Sequence, residues 1–166
     1  MPDVLTTAFS TTTPVWEIFF RMLMACIFAF AIGFDREYRG RPAGLRTNML
    51  TALAASAFAL IAIEMIHAMG DEGEKTQLDP IRVVEAVTAG VAFLAAGTII
   101  QSRGNVKGLT TGAGMWLSGA IGLACGAGFL AVGFIATLLA VFILIPLDII
   151  EEHLPSKEKR ESESGD

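Results

Sequence analysis

The sequence predicts an all-α polytopic membrane protein: a bundle of five transmembrane helices, with its N-terminus outside and its C-terminus in the cytoplasm. Three observations lead there. The 166 residues are 53% hydrophobic and only 17% charged, whereas a soluble domain carries about a quarter charged residues. The charges gather in short blocks between long apolar runs. Those blocks alternate between basic and non-basic, the pattern of connections that lie on alternate sides of a bilayer.

The first run, Val15 to Phe34, follows a Thr-rich segment that lacks the basic n-region of a cleavable signal peptide. Trp16 at its start suits a membrane interface. Glu17 and Arg21 stand one turn apart and are expected to pair. Ala25, Ala29 and Gly33 form a stripe of small residues that lets another helix approach. The second run, Asn48 to Ile66, has the length of a span, with Glu64 and His67 at its outer end in a solvated or interfacial setting.

The third run, Ile81 to Ile100, divides into two faces at a helical period. Arg82, Glu85, Ala89, Ala92 and Ala96 share one face, with Gly90, Phe93 and Gly97 beside it. That face is expected to meet other helices, leaving Val83, Val87, Val91, Leu94 and Thr98 for lipid. Residues 109–150 contain a single charge, Asp148. As one helix they would extend about 63 Å, twice the hydrocarbon thickness. They must fold back at Cys125-Gly126-Ala127-Gly128, giving a fourth run, Leu109 to Ala124, and a fifth, Ala127 to Ile150. Gly108, Thr111, Gly112, Ser118, Gly119, Gly122 and Gly126 line one side of the fourth. Cys26 and Cys125 lie inside apolar runs as small packing residues without metal-ligand spacing.

The connections set the orientation. Arg36, Arg39, Arg41 and Arg46 occupy the first; Lys75 is outnumbered by Asp71, Glu72, Glu74 and Asp79 in the second. Arg103 and Lys107 lie in the third, and Lys157, Lys159 and Arg160 in the tail. The organisation expected is a polar extracytoplasmic segment (1–14), a five-helix membrane domain (15–150) and a charged cytoplasmic tail (151–166). The protein is then a multi-pass protein of the bacterial cytoplasmic (inner) membrane.

Chemistry concentrates in the first connection. Asp35 and Glu37 against Arg36, Arg39, Arg41 and Arg46 leave two net positive charges. Three readings stand: topology with internal ion pairing, binding of an anion or partner, and a metal site on Asp35 and Glu37. Magnesium takes oxygen ligands, but four guanidinium groups oppose a divalent cation, whereas arginine grips carboxylates readily. Pro42 and Gly44 fix and bend the chain there. Gly108-Leu109-Thr110-Thr111-Gly112 opens helix four on the same side. Its free N–H groups favour an anion or a cap from Thr110 or Thr111. Asp79, Arg82 and Glu85 form an outer group, in which Arg82 and Glu85 can pair and Glu85 is a third metal candidate. His67 and His153 are the two histidines, and no nucleophile–base or His/Cys pattern exists. Neither an enzyme nor a nucleic-acid partner is expected.

Three blocks resemble the membrane domain of the MgtC/SapB family. The first is Gly33-Phe34-Asp35-Arg36-Glu37 followed by Arg41-Pro42-Ala43-Gly44-Leu45-Arg46-Thr47. The second is Asp79-Pro80 with Arg82, then Gly90, Phe93-Leu94 and Gly97. The third is Gly108-Leu109-Thr110-Thr111 with Trp116. Asp35 stands where that family usually has Glu, and Asn48 where it often has His. Ala86, Ala92 and Ala95 replace Gln, Gly and Gly. The resemblance implies a short, membrane-only member without the family's C-terminal regulatory domain. It marks Arg36, Glu37, Arg41, Pro42, Gly44, Arg46, Thr47, Asp79, Arg82, Glu85, Gly108, Thr110, Thr111 and Trp116 as functional candidates. It also implies a role in magnesium limitation, survival of pathogens in host cells and ATP homeostasis. That role is as a regulator of a membrane partner such as the F-type ATP synthase, or alternatively as a transporter of magnesium or another ion. No cofactor is expected beyond a magnesium ion; the lipid bilayer and a second copy of the chain are further expected partners.

Overall fold

The computed structural model describes residues 11–70, 79–102 and 105–153. They form α1 (Val15–Tyr38), α2 (Leu45–Gly70), α3 (Pro80–Ala96), β1 (Ile100–Ser102), β2 (Asn105–Lys107), α4 (Leu109–Gly126) and α5 (Leu130–His153). The all-α class is as the sequence predicts. Among the described residues, two helices are long and apolar enough to cross a bilayer, over Val15–Tyr38 and Leu45–Ala68, and Leu130–Pro146 is a shorter apolar helix. Phe19, Phe30, Phe34, Leu139 and Phe142 are exposed on the outside of the bundle.

Polar contacts move several helix ends away from the ends of the apolar runs. α1 continues through Asp35-Arg36-Glu37 because Arg36 is itself buried against the bundle. α2 begins at Leu45, where the Glu37 carboxylate accepts its first free N–H. The third helix stops at Ala96 rather than Ile100. Thr98 N donates to Ala95 O and Ile99 N to Ala96 O, tightening the end, and β1 then pairs antiparallel with β2 from Ile100↔Lys107 to Ser102↔Asn105. The hairpin leaves no separate trace in the sequence, because an apolar run does not distinguish the last turn of a helix from a short strand.

Gly108 lies at φ 90°, a left-handed conformation open to glycine, and any Cβ there would strike the Thr98 carbonyl. It is the N-cap of α4, with no side-chain cap bond; neither Thr110 nor Thr111 fills that role. α4 turns into α5 at Ala127 and Gly128, inside the predicted reversal, and α5 starts at Leu130.

α1, α2 and α4 pack together, α5 covers α1 and α4, and α3 lies at the edge against α2 and α4. The core joins Ala25, Phe28, Ala29 and Ile32 of α1 to Ala52 of α2, Ile121 and Cys125 of α4 and Ala140 of α5. The small stripes on α1 and α4 face inward as expected. A Cβ on Gly122 would collide with the main chain of Ala52, and one on Gly126 with that of Ser56. Helices that close are held by packing of backbone on backbone.

α3 corrects the facial reading. Val91 and Ala95 are its buried residues, while Arg82, Glu85, Ala89, Ala92 and Ala96 face out. The reason lies in the partner: a Cβ on Gly119 of α4 would sit 2.9 Å from Val91. Glycine supplies the hole, so the branched residue supplies the knob, and the small residues of α3 turn away. Arg82 and Glu85 do not pair, whereas Glu17–Arg21 and Asp35–Arg39 do.

Gly122→Val should destabilise the protein by at least about 1–3 kcal/mol through overpacking. Gly90→Ala, whose Cβ would meet nothing within 4 Å, should be neutral or stabilise by up to about 1 kcal/mol from helix propensity. Thermal unfolding in detergent distinguishes them, and equal melting temperatures would disprove the packing described.

Candidate functional site

The end of α1, the α1–α2 connection and the first turns of α2 and α4 converge on one end of the bundle. Arg36 is central. It is 4% exposed, and its Nη2 donates to the Thr110 carbonyl of α4 at 2.7 Å. A buried guanidinium is tolerated where its donors find oxygen acceptors. Its own carbonyl accepts from Arg41 N at 2.9 Å, tying the connection back to α1.

The two acids of the connection have separate tasks. Asp35 Oδ1 accepts from Arg39 Nε at 3.0 Å, one helical turn away, while its Oδ2 is buried without a hydrogen bond. Glu37 turns to the main chain. Its Oε2 accepts from Leu45 N at 3.1 Å, satisfying a free donor at the start of α2 as an N-cap would. Gly44 makes this possible, since a Cβ at that position would occupy the place of the Glu37 carboxylate. The ion pairing expected for this segment is thus met by Asp35, whereas Glu37 serves to start a helix.

In the sequence Asn48 stands out only for the residue type it replaces; in the structure it is the hub of the connection. It is 1% exposed. Its Nδ2 donates to Ala43 O at 2.6 Å and Gly44 O at 2.9 Å, and its Oδ1 accepts from Ser118 Oγ at 2.8 Å. Ala43 has φ 53°, an uncommon conformation for a residue with a Cβ, and the Asn48 amide holds it there. One buried side chain thus joins the loop to α2 and α4. A lone Asn in an apolar run just after the Pro-Ala-Gly turn is the signal that could have found it.

Around this frame Arg41, Arg46 and Thr47 are exposed, as is Pro42. Thr111 is buried, and Trp116 faces outward on α4 at 49% exposure. Arg36, Glu37, Arg41, Pro42, Gly44, Arg46, Thr47, Gly108, Thr110 and Thr111 therefore share one end of the bundle. Asp79, Arg82 and Glu85 do not join them, since the start of α3 lies at the opposite end. There Asp79 caps α3, its Oδ1 accepting from Ile81 N at 2.9 Å. Among the described residues no three His, Cys, Asp or Glu side chains gather as a metal site would require.

Two further polar side chains, Arg21 and Glu64, complete that opposite end. Arg21 pairs with Glu17 and donates from Nη1 to the Gly126 carbonyl at 3.0 Å, the cation placement that the end of a helix favours. Glu64, expected in a solvated or interfacial setting, stays part-exposed there and accepts from Thr12 N and Thr13 N at 2.7 and 2.9 Å, fixing the approach to α1.

The sequence pattern of the MgtC family matches residues 22–153. An uncharacterized protein of Haemophilus influenzae is 31% identical over 144 residues, which are 86% of this chain and 60% of that protein. YhiD of Escherichia coli K12, which carries the name of a candidate magnesium transporter, is 33% identical over 130 residues, 77% of this chain and 59% of its own. Protein MgtC of Brucella abortus is 41% identical over 113 residues, 68% of this chain and 42% of its own. The chain therefore spans at most three fifths of these relatives' lengths. No solved structure matches it. The chain belongs to the MgtC family.

Asn48→Leu and Ser118→Ala should each cost about 1–3 kcal/mol of stability by leaving a buried partner unsatisfied. The double variant should show a coupling of about 1 kcal/mol. Strict additivity in a double-mutant cycle would mean that this hydrogen bond does not hold the loop.

Proposed function

We propose that this MgtC family member is a five-span protein of the bacterial inner membrane, N-terminus outside and C-terminus inside, that acts in magnesium limitation and ATP homeostasis by regulating a membrane partner. Its role is not enzymatic. The observation that carries this reading is the division of labour at the basic end. Each carboxylate that a cation would need already holds a protein donor on one oxygen, Asp35 Oδ1 from Arg39 Nε and Glu37 Oε2 from Leu45 N. Arg41 and Arg46 meanwhile face outward. A rigid, positively charged surface built on α1, α2 and α4 suits an anionic surface of another protein better than a passing divalent ion. The F-type ATP synthase is the candidate partner. The exposed apolar side chains and the basic connections support the membrane orientation.

A second reading, transport of magnesium or another ion, is favoured by the name that YhiD carries. It would draw on the acids Asp35, Glu37 and Glu85.

Proteoliposomes holding only this protein, with a magnesium indicator inside, distinguish the two. The regulator should give no flux above empty vesicles. In cells grown on low magnesium, Arg41→Ala and Arg46→Ala should abolish function while membrane abundance stays unchanged. Protein-dependent flux that disappears in Glu37→Gln or Glu85→Gln would overturn the regulatory reading. Glu37→Gln is informative because its amide oxygen can still accept from Leu45 N.

A further inference from the structure

α3 is held at the edge of the bundle and leans on its neighbours over part of its length. Between it and α2 runs a groove of about 830 Å³, walled by apolar residues such as Phe58, Ile61 and Met65 on one side and Val83, Val87 and Leu94 on the other. Along α2 its lining extends from Thr51 to Ile66, about 22 Å at the helical rise and so more than the depth of one leaflet of a hydrocarbon core. The charges in its lining are Asp79 and Arg82, both at the end where α3 begins.

These two groups carry opposite charge one turn apart, yet they form no ion pair with each other or with any described residue. Asp79 Oδ1 is engaged in capping Ile81 N, which leaves Oδ2 as an acceptor. Arg82 is exposed, and its guanidinium has no partner among the described residues. An apolar trough that ends in a separated cation and anion is complementary to an amphiphile whose head carries an anion and a hydrogen-bonding cation.

We propose that this groove binds a phosphatidylethanolamine molecule, one of its two acyl chains along the α2 and α3 walls, its phosphate on Arg82 and its ammonium on Asp79. The assignment rests on the membrane reading above. It disfavours two other head groups on chemical grounds: the quaternary ammonium of phosphatidylcholine has no N–H to donate, and phosphatidylglycerol has no cation for Asp79. Charge-assisted hydrogen bonds from both head-group charges supply the selectivity.

The test is native mass spectrometry of the full chain released from micelles containing equal amounts of phosphatidylethanolamine, phosphatidylcholine and phosphatidylglycerol with identical chains. Bound phosphatidylethanolamine should exceed phosphatidylcholine about tenfold, the ratio that one net hydrogen bond produces. Asp79→Asn, which preserves a good cap, should erase that preference. Arg82→Ala should lower retention of all three lipids. Gly90→Leu places a side chain into the groove where a Cβ meets no atom within 4 Å; it should expel the lipid without lowering the melting temperature. Equal retention of the three lipids would overturn the proposal, as would retention unchanged in Gly90→Leu or a lipid-free dimer that closes the groove. Carbonate extraction tests the premise separately. A chain that stays in the membrane pellet but shows no lipid preference defeats the site alone, whereas one released by carbonate defeats the membrane reading and the site together.

Discussion

Gly122 and Gly126 of α4 lie so close to Ala52 and Ser56 of α2 that a methyl group on either glycine would meet main-chain atoms, and the bundle is arranged around that approach. With no side chains between them, the two helices cannot shift past each other without opening voids, where the dispersion attraction between facing atoms falls away. The same absence of side chains leaves room on the next face of α4 for Val91 of α3. Ile121 and Cys125 fill its remaining side, toward α1 and α5. A helix poor in bulk becomes the centre of the molecule because each neighbour reaches its backbone.

The ends of α4 are fixed by charge. Arg21 and Arg36 sit 15 positions apart on α1, and their guanidinium groups reach the carbonyls of Gly126 and Thr110, 16 positions apart on α4. One helix thereby grips another at both ends through main-chain oxygens, whose positions do not depend on any side chain of α4. This explains why glycine-rich α4 can be held in register although it contributes few polar side chains. The basic surface of the first connection stands on this grip: Arg36 anchors α1 to α4, Glu37 starts α2, and Asn48 locks the loop between them.

Much of the architecture is legible in the sequence because a helical period leaves a clear trace in small and apolar residues. The five helices, the inward stripes of α1 and α4, and the Glu17–Arg21 pair all follow from local spacing. What is not legible depends on the partner surface. The faces of α3 reverse because Gly119 presents a hollow to Val91, a fact about α4 that no pattern within α3 contains. The hairpin after α3 turns on competition between two uses of the same β-branched residues. The work of Glu37 and Asn48 requires knowing that Gly44 and Ser118 lie beside them in space, the latter 70 positions along the chain from Asn48. Asp79, Arg82 and Glu85 read as one outer group in the sequence, and the structure divides them between the groove and the open face of α3.

The bond from Arg36 to Thr110 spans 74 positions of sequence, which gives it a history as well as a place. A ribosome adding about 5–20 residues per second needs roughly 4 to 15 seconds to make the acceptor after the donor. During that interval α2 and then α3 are made, and the guanidinium must find temporary company in water or at a membrane surface, where a long cationic side chain can extend its head. Only when α4 arrives between its neighbours does the arginine enter the interior. Its burial then marks the docking of α4, which α5 covers afterwards, and a chain interrupted before Thr110 would lack the carbonyl that receives it.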